Sequence, residues 1–409
     1  MIFSLDFLEL LSEFTSLIWI LFFSIICSLL ILLFNIIQFL IFIKRLKEFR
    51  KLKDPDEILI SDFKSLPLVN IIIPAWKEGE IFKNLLFSIT QLNYPKIKVI
   101  TNAGGNEETI HIANSFKKFE NFVILYQKEG SARPSLGKIN AINECLKYVS
   151  QGIIYFIDAD SYLNNDVLLR MIHPIINLNE NVVMGGVRPL KSQMKKILVK
   201  YLQFDRFGIL SRKFDRYILR EAITGQNFCI NYNVLKSIEK FTFQKLIPTD
   251  HLMGRDIYSK GFKAYRLVDY RHRIFVDYSA SFKEYFHQRL VWNENFLYKN
   301  LKSRNVKNLI KFFILWSTSV YSLIFPFLII LDIRFLFPGV LIFFTIYLKK
   351  LRKLFTMKKT IDKEYYESYK IPFFFYLIFF IFFDFIITSY AFFHFFYFAR
   401  KIKRQFKET

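Results

Sequence analysis

Two carboxylates one residue apart, Asp158 and Asp160, stand directly after the apolar run Ile153-Ile154-Tyr155-Phe156-Ile157. At the end of a strand, alternate side chains can converge on one divalent cation, or one can hold the metal while the other orients a ligand. That arrangement suits a bound diphosphate, although an Asp pair in a solvated turn has the same tripeptide, so the flanking residues decide. Gly137-Lys138, followed by Ile139-Asn140-Ala141-Ile142-Asn143, opens an expected helix whose backbone N–H groups and ammonium can face phosphate. It lacks the full Walker A spacing, and a solvated lysine after a flexible glycine reads the same way. Pro74-Ala75-Trp76-Lys77-Glu78 supplies an indole face for a base and a carboxylate, Glu78, able to accept from a base N–H. An ordinary acidic helix start would show those residues too.

The elements that must position these groups are strands alternating with helical stretches. Val69-Asn70-Ile71-Ile72-Ile73 ends at Pro74, Ile97 to Ile100 ends before Gly104-Gly105, and Phe122 to Tyr126 follows the next helical stretch. Ile153 to Ile157 ends at the Asp pair. This is the pattern of an α/β sheet, in which ligands sit in the crevice beyond the carboxyl ends of parallel strands. The loops carrying Glu78, Lys138, Asp158 and Asp160 are therefore expected to share one pocket.

With 409 residues, 53% hydrophobic and 19% aromatic, the chain is too apolar for an ordinary soluble enzyme. Ser16 to Ile43 is almost uncharged and exceeds the roughly 20 residues that cross a bilayer. Asp6, Glu9 and Glu13 precede it in place of a basic cluster, which favours an anchor over a cleaved signal peptide. Further candidate spans are Phe312 to Leu331, Phe335 to Leu348 (short for a span) and Ile371 to Phe398. The expected division is an anchor at 1–45, a cytoplasmic domain at 46–305 and a membrane region of about three apolar segments at 306–409.

The net charge of +23 raises the question of nucleic acid, and its distribution answers it. Lys44, Arg45, Lys47, Arg50, Lys51 and Lys53 follow the first anchor, Lys349 to Lys359 follow the third candidate, and Arg400 to Arg404 follow the last. Such clusters at membrane edges mark cytoplasmic flanks beside anionic headgroups, so a lipid bilayer, and no nucleic acid, is the expected partner. A single crossing by Ile371 to Phe398 would leave Arg400 to Arg404 outside, and a re-entrant hairpin near Asp384 would avoid this. Cys27, Cys145 and Cys229 form no CxxC pair, which gives neither a zinc site nor a disulfide framework.

Over roughly residues 68 to 300 the order of these features resembles membrane-integrated family-2 glycosyltransferases of the cellulose-synthase-like and hyaluronan-synthase-like group. The resemblance rests on Pro74-Ala75-Trp76-Lys77-Glu78, Tyr94-Pro95, Gly137-Lys138 with Asn140-Ala141 and Asn143, Asp158-Ala159-Asp160, Thr249-Asp250, and Gln288-Arg289 with Trp292. It implies a GT-A (Rossmann-like) catalytic domain flanked by transmembrane helices in a multi-pass protein of the cell membrane. It further implies an inverting transfer of sugar from a UDP- or GDP-sugar to a lipid-linked or glycan acceptor, with Mg²⁺ or Mn²⁺. By that resemblance Pro74, Ala75, Glu78, Lys138, Asp158 and Arg289 bind the nucleotide sugar, Asp160 holds the metal, and Asp250 is the general base. Without it, Asp250 is an expected helix N-cap.

Gln226, Asn227, Gln288 and Trp292 would meet the acceptor, while His251 and His287 are expected to be structural or solvated. Two positions depart from the pattern. Asn102-Ala103-Gly104-Gly105-Asn106-Glu107-Glu108 stands where relatives carry an Asp pair before Gly-Ser, leaving Glu107 or Glu108 as substitutes. Val291 stands where the family arginine would be; on a helix Arg289 points about 200° away from it, so it replaces that arginine only if the helix is rotated. That departure and the few polar groups in the spans favour limited sugar addition over export of a polymer. A polyprenyl-phosphate sugar synthase, a processive polysaccharide synthase and a non-catalytic scaffold remain the other readings.

Overall fold

Apolar runs that alternate with helical stretches assemble into two sheets covered by helices. The computed structural model describes residues 3–49, 51–127, 134–210, 216–218, 223–244, 247–270, 273–278, 281–360, 385–395 and 397. In chain order the elements are α1 (Phe3–Phe49), β1 (Val69–Trp76), α2 (Glu80–Thr90), β2 (Ile97–Gly104), α3 (Glu107–Ser115), β3 (Phe122–Tyr126), α4 (Pro134–Leu146) and β4 (Ile153–Ile157). There follow β5 (Ser161–Tyr162), α5 (Asn165–Asn177), β6 (Val182–Met184), β7 (Val187–Pro189), α6 (Ile197–Leu210), β8 (Tyr217–Ile218) and β9 (Asn227–Asn231). The rest are α7 (Tyr232–Ile238), α8 (Thr249–Ser259), β10 (Ala264–Arg266), β11 (Ile274–Val276), α9 (Phe282–Lys302), α10 (Val306–Leu331), α11 (Leu336–Thr360) and α12 (Phe385–Phe395).

The main sheet has the order β3-β2-β1-β4-β9-β6-β10-β8, and a second sheet the order β5-β11-β7. Strands β1 to β4 are mutually parallel where they pair, and β9 runs antiparallel beside β4 with Ile157 opposite Asn227. Burial on both faces explains why β4 reads as an unbroken apolar run and β1 nearly so. Ile71, Ile73 and Ala75 enter one core layer with Leu85 and Leu86 of α2 and Ile172 of α5. The alternate residues Ile72, Ile100, Ile154 and Phe156 enter the opposite layer with Ile139 and Ile142 of α4. The four parallel strands are those expected from sequence. The short strands after the Asp pair make the sheet mixed, and they run only two to five residues, too few for a period to show.

Helix α1 packs along α11, and its Leu17, Leu21 and Ile31 join Phe325 of α10, Phe335 and Ile342 in one apolar cluster. Arg352 of α11 donates to Asn35 Oδ1 at 3.1 Å, and the Asn35 amide donates to Ile31 O at 2.7 Å. Away from these contacts Trp19, Phe23, Phe34, Phe327 and Ile330 are exposed. Among the described residues one helix, over Leu17–Glu48, is long and apolar enough by itself to cross a membrane. All of the expected short segment Phe335 to Leu348 but Phe335 itself belongs to α11, which is 25 residues long and continues through Lys349 to Lys359. No glycine or proline after Gly339 interrupts it. Of Ile371 to Phe398, residues 371–384, 396 and 398 lie outside the described residues, Asp384 among them.

The stretch between α1 and β1 is strapped to the sheet domain. Arg170 of α5 donates to the Pro55 and Asp56 carbonyls, and Arg216 donates to Asp54. Asp54 also accepts from the Val268 and Asp269 N–H groups at 2.7 and 2.8 Å. The carboxylate is 3% exposed, so its charge rests on these donors.

Gly152 sets the start of β4 against β1. It has φ +87°, and a Cβ there would lie 2.1 Å from the Leu68 carbonyl oxygen. Neither the backbone conformation nor the oxygen can yield cheaply, since Ile153 N–H donates to that same oxygen at 2.8 Å. Gly152→Ala is therefore expected to destabilise the domain by more than the roughly 1–3 kcal/mol of left-handed strain alone. Urea unfolding checks this, and an unchanged midpoint would contradict it.

Candidate active site

The carboxyl ends of β1, β2 and β4 and the amino end of β9 lie at one edge of the main sheet, because β9 is antiparallel to its neighbour. Asp158 follows the last residue of β4 on the face covered by α4. There the Lys138 ammonium meets Asp158 Oδ1 at 2.6 Å, with the two side chains 30% and 19% exposed. Helix α4 begins at Pro134, so Lys138 leaves from its second turn and not from the helix start expected from sequence. Burial alone would lower the ammonium's affinity for its proton. The neighbouring Asp158, Asp160 and Asp250 outweigh burial and hold Lys138 above its ordinary value. One ammonium thus feels three carboxylates drawn from distant parts of the chain.

Asp160 is fixed through its backbone, its carbonyl accepting from Asp277 N–H at 2.9 Å just beyond the pairing of β5 with β11. Asp250 is the second residue of α8, whose N-cap is Pro248 and not Asp250 itself. Asp250 Oδ1 accepts from His251 N–H at 2.9 Å. Gly225, two residues before β9, lets α8 approach: a Cβ on it would stand 3.0 Å from the Asp250 Cβ. His251 Nδ1 in turn lies 2.8 Å from Lys299 Nζ on α9.

At the end of β1, Trp76 lies over Gly104-Gly105. A Cβ on Gly105, whose φ is +92°, would come within 2.9 Å of the indole, so these glycines are needed for the approach. Gln127 Nε2 donates to the Ala75 and Asn102 carbonyls at 3.1 Å each and ties the two strand ends together. Glu78 N–H donates to the Thr109 hydroxyl at 2.7 Å. Burial, then Asp158, raises the Glu78 carboxyl above its ordinary value; Lys138 opposes this and Asp277 adds to it. Glu78 therefore shares the field of the Lys138 cluster. Of the two acidic substitutes considered above, Glu108 Oε1 reaches to 3.0 Å from a Cβ placed on Gly79, beside Glu78.

The remaining expected site residues separate into three groups. Pro74 is half-buried on the α4 face. By strand parity its nitrogen points toward β4, where pairing has already ended at Ile72–Phe156, so the missing N–H is tolerated. Ala75 and Asn227 do not serve as expected. Ala75 is fully buried in the opposite core layer, with its carbonyl bound to Gln127. Asn227 is also fully buried: its Oδ1 accepts from Tyr155 OH at 2.7 Å and its amide donates to Gly186 O at 2.8 Å. Both are structural residues beneath the site.

Gln226 is half-exposed beside Gly225, Gln288 is partly buried, and Trp292 is 40% exposed on α9. The Arg289 guanidinium lies over the rings of Tyr285 and Trp292, at 5.4 and 5.2 Å from their centroids. Asp277 escaped the sequence reading. No motif marks it, and it reaches Glu78 and Asp160 only because β11 pairs with β5; Gln193 donates to its carboxylate.

Asp158 and Asp160 are hard oxygen donors suited to Mg²⁺ or Mn²⁺, which keep open positions for phosphate oxygens and water. Among the described residues no group of three or more His, Cys, Asp or Glu forms a cation cage by itself. The pair therefore fits a cation completed by substrate, with the Lys138 ammonium standing against Asp158.

Residues 70–239 match the family model for Glycosyl transferase family 2. The poly-beta-1,6-N-acetyl-D-glucosamine synthase of Staphylococcus epidermidis is 27% identical over 128 residues, 31% of this chain and 29% of that protein. Glycosyltransferase AglE of Haloferax volcanii is 24% identical over 207 residues, 47% of this chain and 60% of that protein. The chain thus spans less than two thirds of these relatives. Among solved structures, the mannosyltransferase PcManGT from Pyrobaculum calidifontis, in complex with GDP-Man and Mn²⁺, aligns with TM-score 0.50 at 12% identity, covering 90% of this chain and 97% of that one. The likeness is one of fold, an α/β GT-A-like glycosyltransferase fold with a mixed sheet.

The raised carboxyl of Glu78 makes a signed prediction. A group raised on folding contributes stability that is full below its ordinary value of 4.5 and is lost as pH rises through the folded value. Glu78→Gln removes that loss. The variant is expected to melt higher than the parent at about pH 8, with the gap closing by about pH 4. A gap of the same size at both pH values would contradict it.

Proposed function

We propose that the chain is an inverting glycosyltransferase that moves a sugar from a UDP- or GDP-sugar to a glycan or lipid-linked acceptor at the membrane surface. The observation that carries this reading is the Lys138 ammonium, paired with Asp158 at 2.6 Å and held in the field of Asp160 and Asp250. A site that gathers carboxylates around one ammonium at a strand edge is built to receive an anion together with a cation. The family-2 match over residues 70–239 supports the same class.

In this proposal Trp76 and Glu78 take the nucleobase and Lys138 approaches the diphosphate. Asp158 faces the nucleotide, and Asp160 is the residue that would hold Mg²⁺ or Mn²⁺. The metal, when bound, supplies Lewis-acid stabilisation of charge on the leaving diphosphate. Asp250 accepts the proton of the acceptor hydroxyl as its oxygen forms the new bond to the anomeric carbon; the bond from that carbon to the phosphate oxygen breaks, and its electron pair leaves with the nucleoside diphosphate. Attack from the face opposite the leaving group inverts the anomeric centre. Gln226, Gln288 and Trp292 line the acceptor side. Arg289, seated between two aromatic rings, is a diphosphate contact only if it leaves them.

The expected domain division, 1–45, 46–305 and 306–409, belongs to the same reading. Its membrane part is multi-pass, with α1, α10 and α11 in the bilayer and the pocket on the cytoplasmic side. Support comes from their mutual packing and from exposed Phe34, Phe327 and Ile330. The name of one curated relative, the poly-beta-1,6-N-acetyl-D-glucosamine synthase, favours a polysaccharide-type acceptor. Processive synthesis is the second reading, and the exposed Val291 in the arginine's expected place weighs against it.

The proposal predicts that Asp250→Asn lowers transfer to a hydroxyl acceptor by about 10²–10⁴-fold, with the donor KM within about twofold of the parent. Asp158→Asn, which removes a charge next to Lys138, is expected to raise the donor KM, and EDTA to abolish turnover. Nucleoside diphosphate release and product mass, with purified protein in lipid and a panel of nucleotide sugars, check all three. Near-parental transfer by Asp250→Asn would point instead to a phosphate acceptor, as in a polyprenyl-phosphate sugar synthase.

A further inference from the structure

Helix α9 touches the site through one side chain to which the motif comparison gave no role. Lys299 Nζ lies 2.8 Å from His251 Nδ1, and His251 N–H donates to Asp250 Oδ1 at 2.9 Å. Lysine has only donors, so Nδ1 must accept, and the imidazole is neutral with its proton on Nε2. Position decides which face of α9 this is. At about 100° per residue, Gln288, Trp292 and Lys299 fall within about 40° of one another and form one stripe. Lys299 reaches α8, so the stripe that carries Gln288 and Trp292 is turned toward the Asp250 side of the protein. Glu294 lies about 200° from Trp292 and pairs with His394 of α12 on the other side. Helix α9 is thus held at both flanks, between α8 and the C-terminal helix.

We propose, resting on the reading of Asp250 as the base, that Lys299 is a positioning residue: through His251 it fixes the tautomer of the imidazole and the first turn of α8, and so aims the Asp250 carboxylate. A second cation beside Lys299 is electrostatically unfavourable, so His251 stays neutral over the range in which the enzyme works. The charged groups tied to His251 are Lys299 of α9 at its ring and Asp250 at its N–H, with Lys138 of α4 acting on Asp250. Gly225 and Gln226, from the β9 side, bring no charge. The arrangement uses a lysine and a histidine adjacent to the reacting groups without requiring either to exchange a proton.

The test uses the full chain in lipid or detergent, with ¹⁵N-labelled histidine followed by NMR against pH, and the transfer pH profile beside it. In the parent, His251 is expected to show the Nε2–H tautomer and to protonate about one unit or more below the usual value of about 6.5. In Lys299→Met it should protonate about one unit higher than in the parent. The variant's kcat should then fall about tenfold at about pH 6, recover to within about threefold at about pH 8, and leave the donor KM unchanged. Adding His251→Asn to Lys299→Met should remove the new acid limb, and Lys299→Arg should not show it.

Identical His251 titrations and pH profiles in parent and Lys299→Met would overturn the inference while leaving the glycosyltransferase reading intact. A parent that turns over no nucleotide sugar would overturn that reading instead, and this role with it. Should Lys299→Met fail to fold, the parent titration decides alone: protonation of His251 at or above about 6.5 overturns the proposal.

Discussion

The contact between Lys138 and Asp158 is the constraint on which the rest of the site depends. A half-buried ion pair contributes little net stability, because desolvating both charges offsets most of their attraction, but removing either partner leaves the other uncompensated. Here the geometry is more demanding than a single pair. Glu78, Asp158, Asp160, Asp250 and Asp277 all act on one region, and like charges brought together oppose folding. Lys138 offsets part of that repulsion. A substrate-borne cation would offset more, so the same charges that oppose folding would favour its binding.

The fold's task is to bring those charges together from residues 78, 138, 158, 160, 250 and 277. Parallel pairing sends β1, β2 and β4 to one edge, and antiparallel β9 returns the chain to it, with Gly225 leaving room for α8. The small sheet β5-β11-β7 then delivers Asp277 beside Asp160. Behind this edge, Asp54, Arg170 and Arg216 strap the stretch that follows α1 to the sheet domain. Arg352 and Asn35 add a polar link between α1 and α11.

Much of this was legible in the sequence, and the exceptions have physical causes. Strands β1 to β4 could be read from their apolar runs, and Asp158 from the carboxylate that ends one of them; Lys138 was marked by the glycine before it, and Asp250 by the family resemblance alone. Asn227 misled because an amide after Gly-Gln looks solvent-facing, whereas Tyr155 and Gly186 bury it completely. Ala75 misled because its place in a loop motif conceals that it is still on the strand, facing the core. Asp277 and the strands β5 to β8, β10 and β11 were invisible, since two- or three-residue strands carry no period and their partners are far away in sequence. Helix α11 outran its expected end because lysines do not stop a helix, and no breaker follows Gly339.

The most direct measurement is an experimental structure of the full chain in lipid with Mn²⁺ and a turnover-competent nucleotide sugar. The account predicts the diphosphate within about 3 Å of Lys138 Nζ, the cation held by the Asp160 carboxylate beside that diphosphate, and the Asp250 carboxylate on the far side of the same sugar ring. A nucleotide bound away from Lys138, or an Asp250 carboxylate beyond reach of the anomeric carbon, would contradict it.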